Sequence, residues 1–181
     1  IFTKASTRTR VSFQVAMARL GGQTVDLDPK VTQLGRGEPL EDTARVLSRF
    51  CDVLAVRTYE QEELEDYAKW SSVPVINALT DLEHPCQALA DFFTIQEHFG
   101  RLEGLTLAYV GDGNNVAHSL IVCGAILGVN VRIGCPVGFE PHPNIVAKAQ
   151  KLAVAGAQIE LTNDPVESVK DANAIYTDVW A

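Results

Sequence analysis

The segment Ser6-Thr7-Arg8-Thr9-Arg10 gathers hydroxyls and guanidinium groups at the start of a helical stretch. Hydroxyls and free backbone N–H groups at such a terminus hold a phosphate, helped by the helix dipole. Arg8 and Arg10 stand where that dipole disfavours cations by about 0.3–1 kcal/mol each, a penalty that a bound anion reverses. The plainer alternative is a Ser/Thr cap with both arginines in solvent. His84-Pro85-Cys86-Gln87 places an imidazole and an amide at a second helix entry. The imidazole can donate to a carbonyl oxygen and the amide can fix an adjacent NH2 group, although a histidine there also serves as a simple cap. Cys86 is read as packing, because nothing near it in the sequence lowers a thiol pKa.

Gly111-Asp112-Gly113-Asn114-Asn115-Val116 looks like a dinucleotide-binding turn after a strand. Val116 occupies the third glycine position, however, and no acid ends the next strand to hold a ribose, which disfavours an NAD-dependent oxidoreductase. The asparagines suit a zwitterionic or amide-bearing ligand instead. Asp178 closes a strand, where it either holds an ammonium group or caps the next helix. The acidic run over residues 60–66 reads as a solvated helix face. His98, His118 and His142 lack metal-ligand spacing, and no metal site is expected.

The elements that must position these groups alternate. Ser6 or Thr7 caps a helix reaching about Leu20, ended by Gly21-Gly22. A short strand is expected over Gln23–Leu27, then a Gly- and Pro-bearing loop to Pro39. Helices come next over Asp42–Phe50 and Glu60–Trp70, with strands over Asp52–Arg57 and Val73–Asn77. Pro85 suits the first turn of a helix reaching Phe99. Gly100–Gly104 resembles a junction. Beyond it come strands over Leu105–Val110, Val129–Gly134, Gln158–Thr162 and Ala174–Asp178, separated by helices over Asn115–Leu127, Asn144–Ala155 and Val166–Asp171. Helix–strand alternation of this length favours right-handed βαβ units and parallel sheets. The expected fold is α/β: two domains, 1–99 and 100–181, each a parallel sheet flanked by helices. Ligands of such sheets collect beyond the carboxyl ends of strands. Arg57, His84, Gln87, the 111–115 loop and Asp178 all lie at or beyond strand ends, where an interdomain cleft would lie.

Composition narrows the function classes. The chain has 181 residues, 46% hydrophobic and 21% charged, which argues for a packed core rather than disorder. A net charge of −8 argues against general nucleic-acid binding. Yet residues 1–25 carry four cations and no carboxylate, so the remainder stands at −12. Cations gathered at one end of an acidic chain suit a small anion site or a solvated basic surface. No apolar run approaches the roughly 20 residues needed to span a bilayer. Cys51, Cys86, Cys123 and Cys135 show neither CxxC nor zinc spacing, so reduced thiols in a cytoplasmic protein are expected. The start at Ile1 and the stop just after a strand suggest part of a longer protein.

Together the segments resemble the aspartate/ornithine carbamoyltransferase family. The motifs that carry the resemblance run in order from Phe2-Thr3-Lys4-Ala5 through Ser6–Arg10, Asp42–Leu47 and His84–Gln87. Gly111–Asn115 with His118-Ser119, and then Thr177-Asp178-Val179-Trp180, complete it. Phe2-x-Lys4, the 111–115 loop, Leu161–Pro165 and the Thr177–Trp180 motif look like the ornithine branch. The resemblance implies that Ser6, Thr7, Arg8 and Thr9 hold the phosphate of carbamoyl phosphate. Arg57, His84 and Gln87 would meet its carbamoyl end, with Arg8, Arg57 and His84 as the catalytic groups. Gln33 would reach a neighbouring subunit's site in a homotrimer. Asn115 and Asp178 would bind L-ornithine, giving citrulline and phosphate without metal or organic cofactor. The family pattern continues beyond Ala181 and begins before Ile1, so both domains are expected to be incomplete and the 181-residue piece inactive and poorly stable alone. Carbamoyltransferases acting on putrescine or aspartate, and a noncatalytic anion-binding module, are the rival readings.

Overall fold

The computed structural model describes residues 1–179; Trp180, which closes the Thr177–Trp180 motif, and Ala181 lie outside the described residues. The chain forms two compact units, Ile1–Asp81 and Leu82–Ala181. Both are α/β.

In the first unit, helix α1 (Arg8–Arg19) leads into a loop with two 3-10 turns, Pro29–Val31 and Gln33–Arg36. Helix α2 (Leu40–Leu47), strand β1 (Leu54–Arg57), helix α3 (Gln61–Trp70) and strand β2 (Val75–Leu79) come after it. β1 and β2 pair in parallel, and a parallel bridge joins Phe2 to Arg57 on β1. Ala44 of α2, Leu54 and Val56 of β1, and Leu64 and Tyr67 of α3 make the core. β1 alternates buried and half-buried residues, the period-2 pattern of a strand with one covered face. α1 buries none of its residues among the described ones, and Val11 and Val15 of its apolar stripe stay exposed.

The strand expected over Gln23–Leu27 does not form. Leu27 meets Phe2 through one 3.5 Å hydrogen bond, and a single long bond is no ladder. Strand propensity here lacks the pairing that would realise it.

The second unit opens with α4 (Pro85–Phe99), which has proline in its first turn and Gly100 in the left-handed conformation after its last. Then β3 (Thr106–Val110), α5 (Asn115–Leu127), β4 (Asn130–Gly134), α6 (Pro143–Leu152), β5 (Ile159–Thr162), α7 (Pro165–Val169) and β6 (Ala174–Tyr176) alternate. The four strands are parallel, in the order β5-β4-β3-β6. The strand order therefore reverses between β3 and β6, the kind of place where open parallel sheets form a ligand crevice. α5 is apolar nearly all round and buries eight residues, including Leu120 and Ile121. Burial of side chains of that size is worth about 1.5–3 kcal/mol each, which makes α5 the central helix of this unit. Ala88 and Phe92 of α4 join the same core. α4 therefore belongs to the second compact unit by packing, although it precedes the Gly100–Gly104 junction expected from the sequence.

Candidate functional site

Arg57 ends β1, and its backbone carbonyl accepts hydrogen bonds from the Thr3 N–H at 3.0 Å and the Thr3 hydroxyl at 3.1 Å. Its Nη1 reaches the Thr9 hydroxyl at 3.4 Å, in the first turn of α1. Its Nε is buried without a hydrogen bond, and burial lowers the guanidinium pKa. A buried guanidinium N–H without an acceptor costs free energy that an anion beside it would recover. Ser6 accepts from the Thr9 N–H at 3.3 Å, whereas Thr7, at the N-cap, makes no side-chain cap. Ser6, Thr9 and Arg57 are thus brought together at the α1 terminus.

The cations of this segment divide by role. Arg10 pairs with Asp26 at 2.6 Å and lies 5.0 Å from the Phe2 ring, while Lys4 pairs with Asp81. Arg8 is exposed and makes none of the ion pairs found among the described residues. Gln33 stands apart on the exposed 3-10 turn, where its carbonyl accepts from the Glu38 N–H.

In the second unit, His84 caps α4 through its backbone carbonyl, which accepts from the N–H groups of Gln87 and Ala88. Its own N–H donates to the Ser119 hydroxyl on α5 at 2.7 Å. The neighbouring His118, 6% exposed, continues this attachment. Its Nδ1 lies 2.8 Å from the Leu82 carbonyl and its Nε2 accepts from the His142 N–H at 2.9 Å. Those partners require a neutral ring with the proton on Nδ1. Burial, the largest cause, also lowers its pKa. The Gln87 amide nitrogen donates to Asp91 Oδ1 at 2.9 Å, one helical turn on. Burial pushes the Asp91 carboxyl up, against the opposing pull of Gln87 and of the Tyr176 hydroxyl.

The reversal point of the sheet carries the remaining candidates. Asn114 caps α5: its Oδ1 accepts from the N–H groups of Val116 and Ala117, and its Nδ2 donates to Asp178 Oδ2 at 3.0 Å. The loops after β3 and β6 are thereby joined. Asn115 is the first residue of α5 and half-buried. Thr177 ties its hydroxyl to the Val110 carbonyl at 2.9 Å. Beneath them Tyr109 and Tyr176 stack at 6.0 Å. Burial first, then Asp91, pushes the Tyr176 phenol up to about 12. Gly113 is required by close approach, since a Cβ there would fall 2.2 Å from the Pro141 nitrogen. Asn115 and Asp178 were legible as candidates in the sequence, but Asn114 as the partner of Asp178 was not, nor were Asp91 and Tyr176. The Asx-cap position of Asn114 was the one local signal that pointed to it.

Two family models cover the chain. Residues 1–97 match "Aspartate/ornithine carbamoyltransferase, carbamoyl-P binding domain", and residues 103–181 match "Aspartate/ornithine carbamoyltransferase, Asp/Orn binding domain". The chain belongs to the aspartate/ornithine carbamoyltransferase family. Within that family, it is 77% identical over all 181 residues to an ornithine carbamoyltransferase of Prochlorococcus marinus (strain MIT 9313), spanning 57% of that relative's length. Among solved structures, the ornithine carbamoyltransferase of Pyrococcus furiosus superposes with a TM-score of 0.94 at 54% identity, over 99% of this chain and 58% of that one. The Gloeobacter violaceus enzyme gives 0.90 at 55% identity, over 99% and 60%. The chain thus spans little more than half the length of the family members it matches. No helix among the described residues is long and apolar enough to cross a membrane.

Proposed function

We propose that the full-length protein carrying this chain transfers the carbamoyl group of carbamoyl phosphate to the side-chain amine of L-ornithine, giving L-citrulline and phosphate. The observation that carries the reading is Arg57, whose Nη1 reaches Thr9 at the start of α1 while its Nε lies buried without an acceptor. That arrangement suits a tetrahedral oxyanion better than a surface cap. In this reading residues 1–99 hold carbamoyl phosphate and residues 100–181 hold ornithine. Ser6, Thr7, Arg8 and Thr9 take the phosphate, and Arg57, His84 and Gln87 take the carbamoyl end. Asn115 and Asp178 take the amino-acid part of ornithine, with Asn114 fixing the Asp178 carboxylate. Gln33 serves the site of a neighbouring subunit in a homotrimer. The setting is cytoplasmic, which the four free thiols suit.

In the reaction the neutral amine of ornithine attacks the carbamoyl carbon and forms the new C–N bond. The C–O bond to phosphate breaks, phosphate leaves with the electron pair, and the amine gives up a proton. Arg8, Arg57 and His84 stabilise the charge developing on the carbonyl and leaving oxygens. Groups of this kind are typically worth about 2.7–4 kcal/mol each. Holding both substrates in one orientation adds a further share.

The test is carbamoylation by the full-length protein with carbamoyl phosphate and ornithine, putrescine or aspartate in turn. Citrulline formed with ornithine alone is the expected result. Product with putrescine or aspartate instead overturns the acceptor, and binding of carbamoyl phosphate without product from any amine favours an anion-binding module.

A further inference from the structure

Gln87 occupies the first turn of α4 and Asp91 the same face one turn later, the i,i+4 spacing at which side chains meet. A primary amide has a donating and an accepting end, and an ionised carboxylate only accepts. With one Nε2 hydrogen of Gln87 donated to Asp91 Oδ1 at 2.9 Å, the amide is fixed with Oε1 as the acceptor it offers a ligand. The reversed amide would set two oxygens against each other. Neighbouring packing holds this geometry: Ala88 and Phe92, each next in sequence to one member of the pair, are 0% and 1% exposed.

We propose that Asp91 is a positioning and specificity-determining residue that presents Gln87 as a hydrogen-bond acceptor and so selects an N–H-bearing acyl group over one bearing a methyl. The proposal rests on the reading above, in which Gln87 meets the carbamoyl end of the donor. A carbamoyl group offers an NH2 to the waiting Oε1. An acetyl group offers a methyl and leaves that oxygen desolvated and unpaired, which is how sites built around a substrate N–H reject analogues lacking it. Asp91 touches no substrate in this account and acts only through Gln87.

The experiment uses the full-length protein and measures KM for carbamoyl phosphate, inhibition by orthophosphate and inhibition by acetyl phosphate. Four forms are compared: unsubstituted, Gln87→Ala, Asp91→Asn and the double variant. Asp91→Asn lets the amide turn and frees its rotamers, and the expected result is about a tenfold rise in KM for carbamoyl phosphate. Orthophosphate inhibition stays unchanged, and the preference for carbamoyl phosphate over acetyl phosphate narrows. In the Gln87→Ala background Asp91→Asn has no further effect.

An unchanged KM in Asp91→Asn, or the same rise with and without Gln87, overturns the proposal. Gln87→Ala with unsubstituted KM values overturns the underlying assignment of Gln87, a separate failure. If Asp91→Asn does not fold, the equal-length pair Asp91→Glu and Asp91→Gln replaces it. The carboxylate is then expected to retain the lower KM, and equal values for the pair refute the proposal.

Discussion

Arg8 and Arg57 meet the same proposed anion from opposite situations, one exposed on the first turn of α1 and the other partly buried at the end of β1. Exposed substitutions away from packing usually change stability by within about 0.5 kcal/mol, so Arg8→Ala is expected to keep its melting temperature. Its kcat, measured in the full-length protein, is expected to fall about 10²–10³-fold, the usual loss when one charge-stabilising donor is removed. Arg57→Lys keeps the charge but loses the planar fork, and the same assay is expected to show a comparable fall. Near-normal turnover in Arg8→Ala would remove that side chain from the mechanism. Asp178 makes a contrasting case, because Asn114 orients its carboxylate at 3.0 Å. Asp178→Asn is expected to raise KM for ornithine at least tenfold while KM for carbamoyl phosphate stays put, the pattern that follows if, as proposed, Asp178 meets ornithine alone.

At the scale of elements, polar contacts in the first turns of α5 tie it to the segment that enters α4 and to the start of α6. Ser119 takes the His84 N–H, and His118 bridges the Leu82 carbonyl and the His142 N–H. His118→Ala leaves both backbone groups short of a partner and is expected to lower stability by about 1–3 kcal/mol, read as a shifted denaturation midpoint. The pH dependence has a definite sign. Burial puts the folded-state pKa of His118 below its ordinary 6.5, so the unfolded chain binds the extra proton first. Its contribution is fully present above about 6.5 and is lost as pH falls from there through the lower folded-state value. Urea titrations of the full-length protein across that window are expected to show a fall in stability that His118→Ala lacks. An identical slope in both proteins would assign the acid sensitivity elsewhere.

For the whole molecule, the two compact units carry different shares of the proposed chemistry, and the relatives are nearly twice as long as the chain. Gln33 contributes nothing to the Ser6–Thr9–Arg57 cluster among the described hydrogen bonds and projects from an exposed turn. A role in a neighbouring subunit's site gives that exposure a use. If it holds, Gln33→Ala and Arg8→Ala proteins, each impaired, are expected to regain part of their activity when unfolded and refolded together, because mixed trimers contain sites with both residues intact. No regain in mixtures that form trimers by light scattering would place Gln33 outside the neighbouring site.

Most elements were legible from residue order because their signals are local. Asn114 at the α5 cap, Gly100 and Gly128 past helix ends, and Pro85 in a first turn act within a few residues of themselves. α5 falls on Asn115–Leu127 as expected, and β1 and β2 move only by a residue or two at their ends. Gln23–Leu27 fails for the complementary reason, since a strand exists only through a partner and propensity cannot supply one. The same division runs through the site. The Ser6–Arg10 cluster and the His84–Gln87 helix entry are contiguous in the chain, so residue types and spacing suffice to single them out. Pairings such as Asn114 with Asp178, 64 residues apart, or Arg57 with Thr9, 48 apart, arise when strand order and helix packing bring distant loops together. Residue order alone thus determined which groups this protein offers for the proposed anion and amine chemistry. Tertiary structure decided which of them hold one another in place, because hydrogen bonds reach about 3 Å and only the packed chain sets those distances.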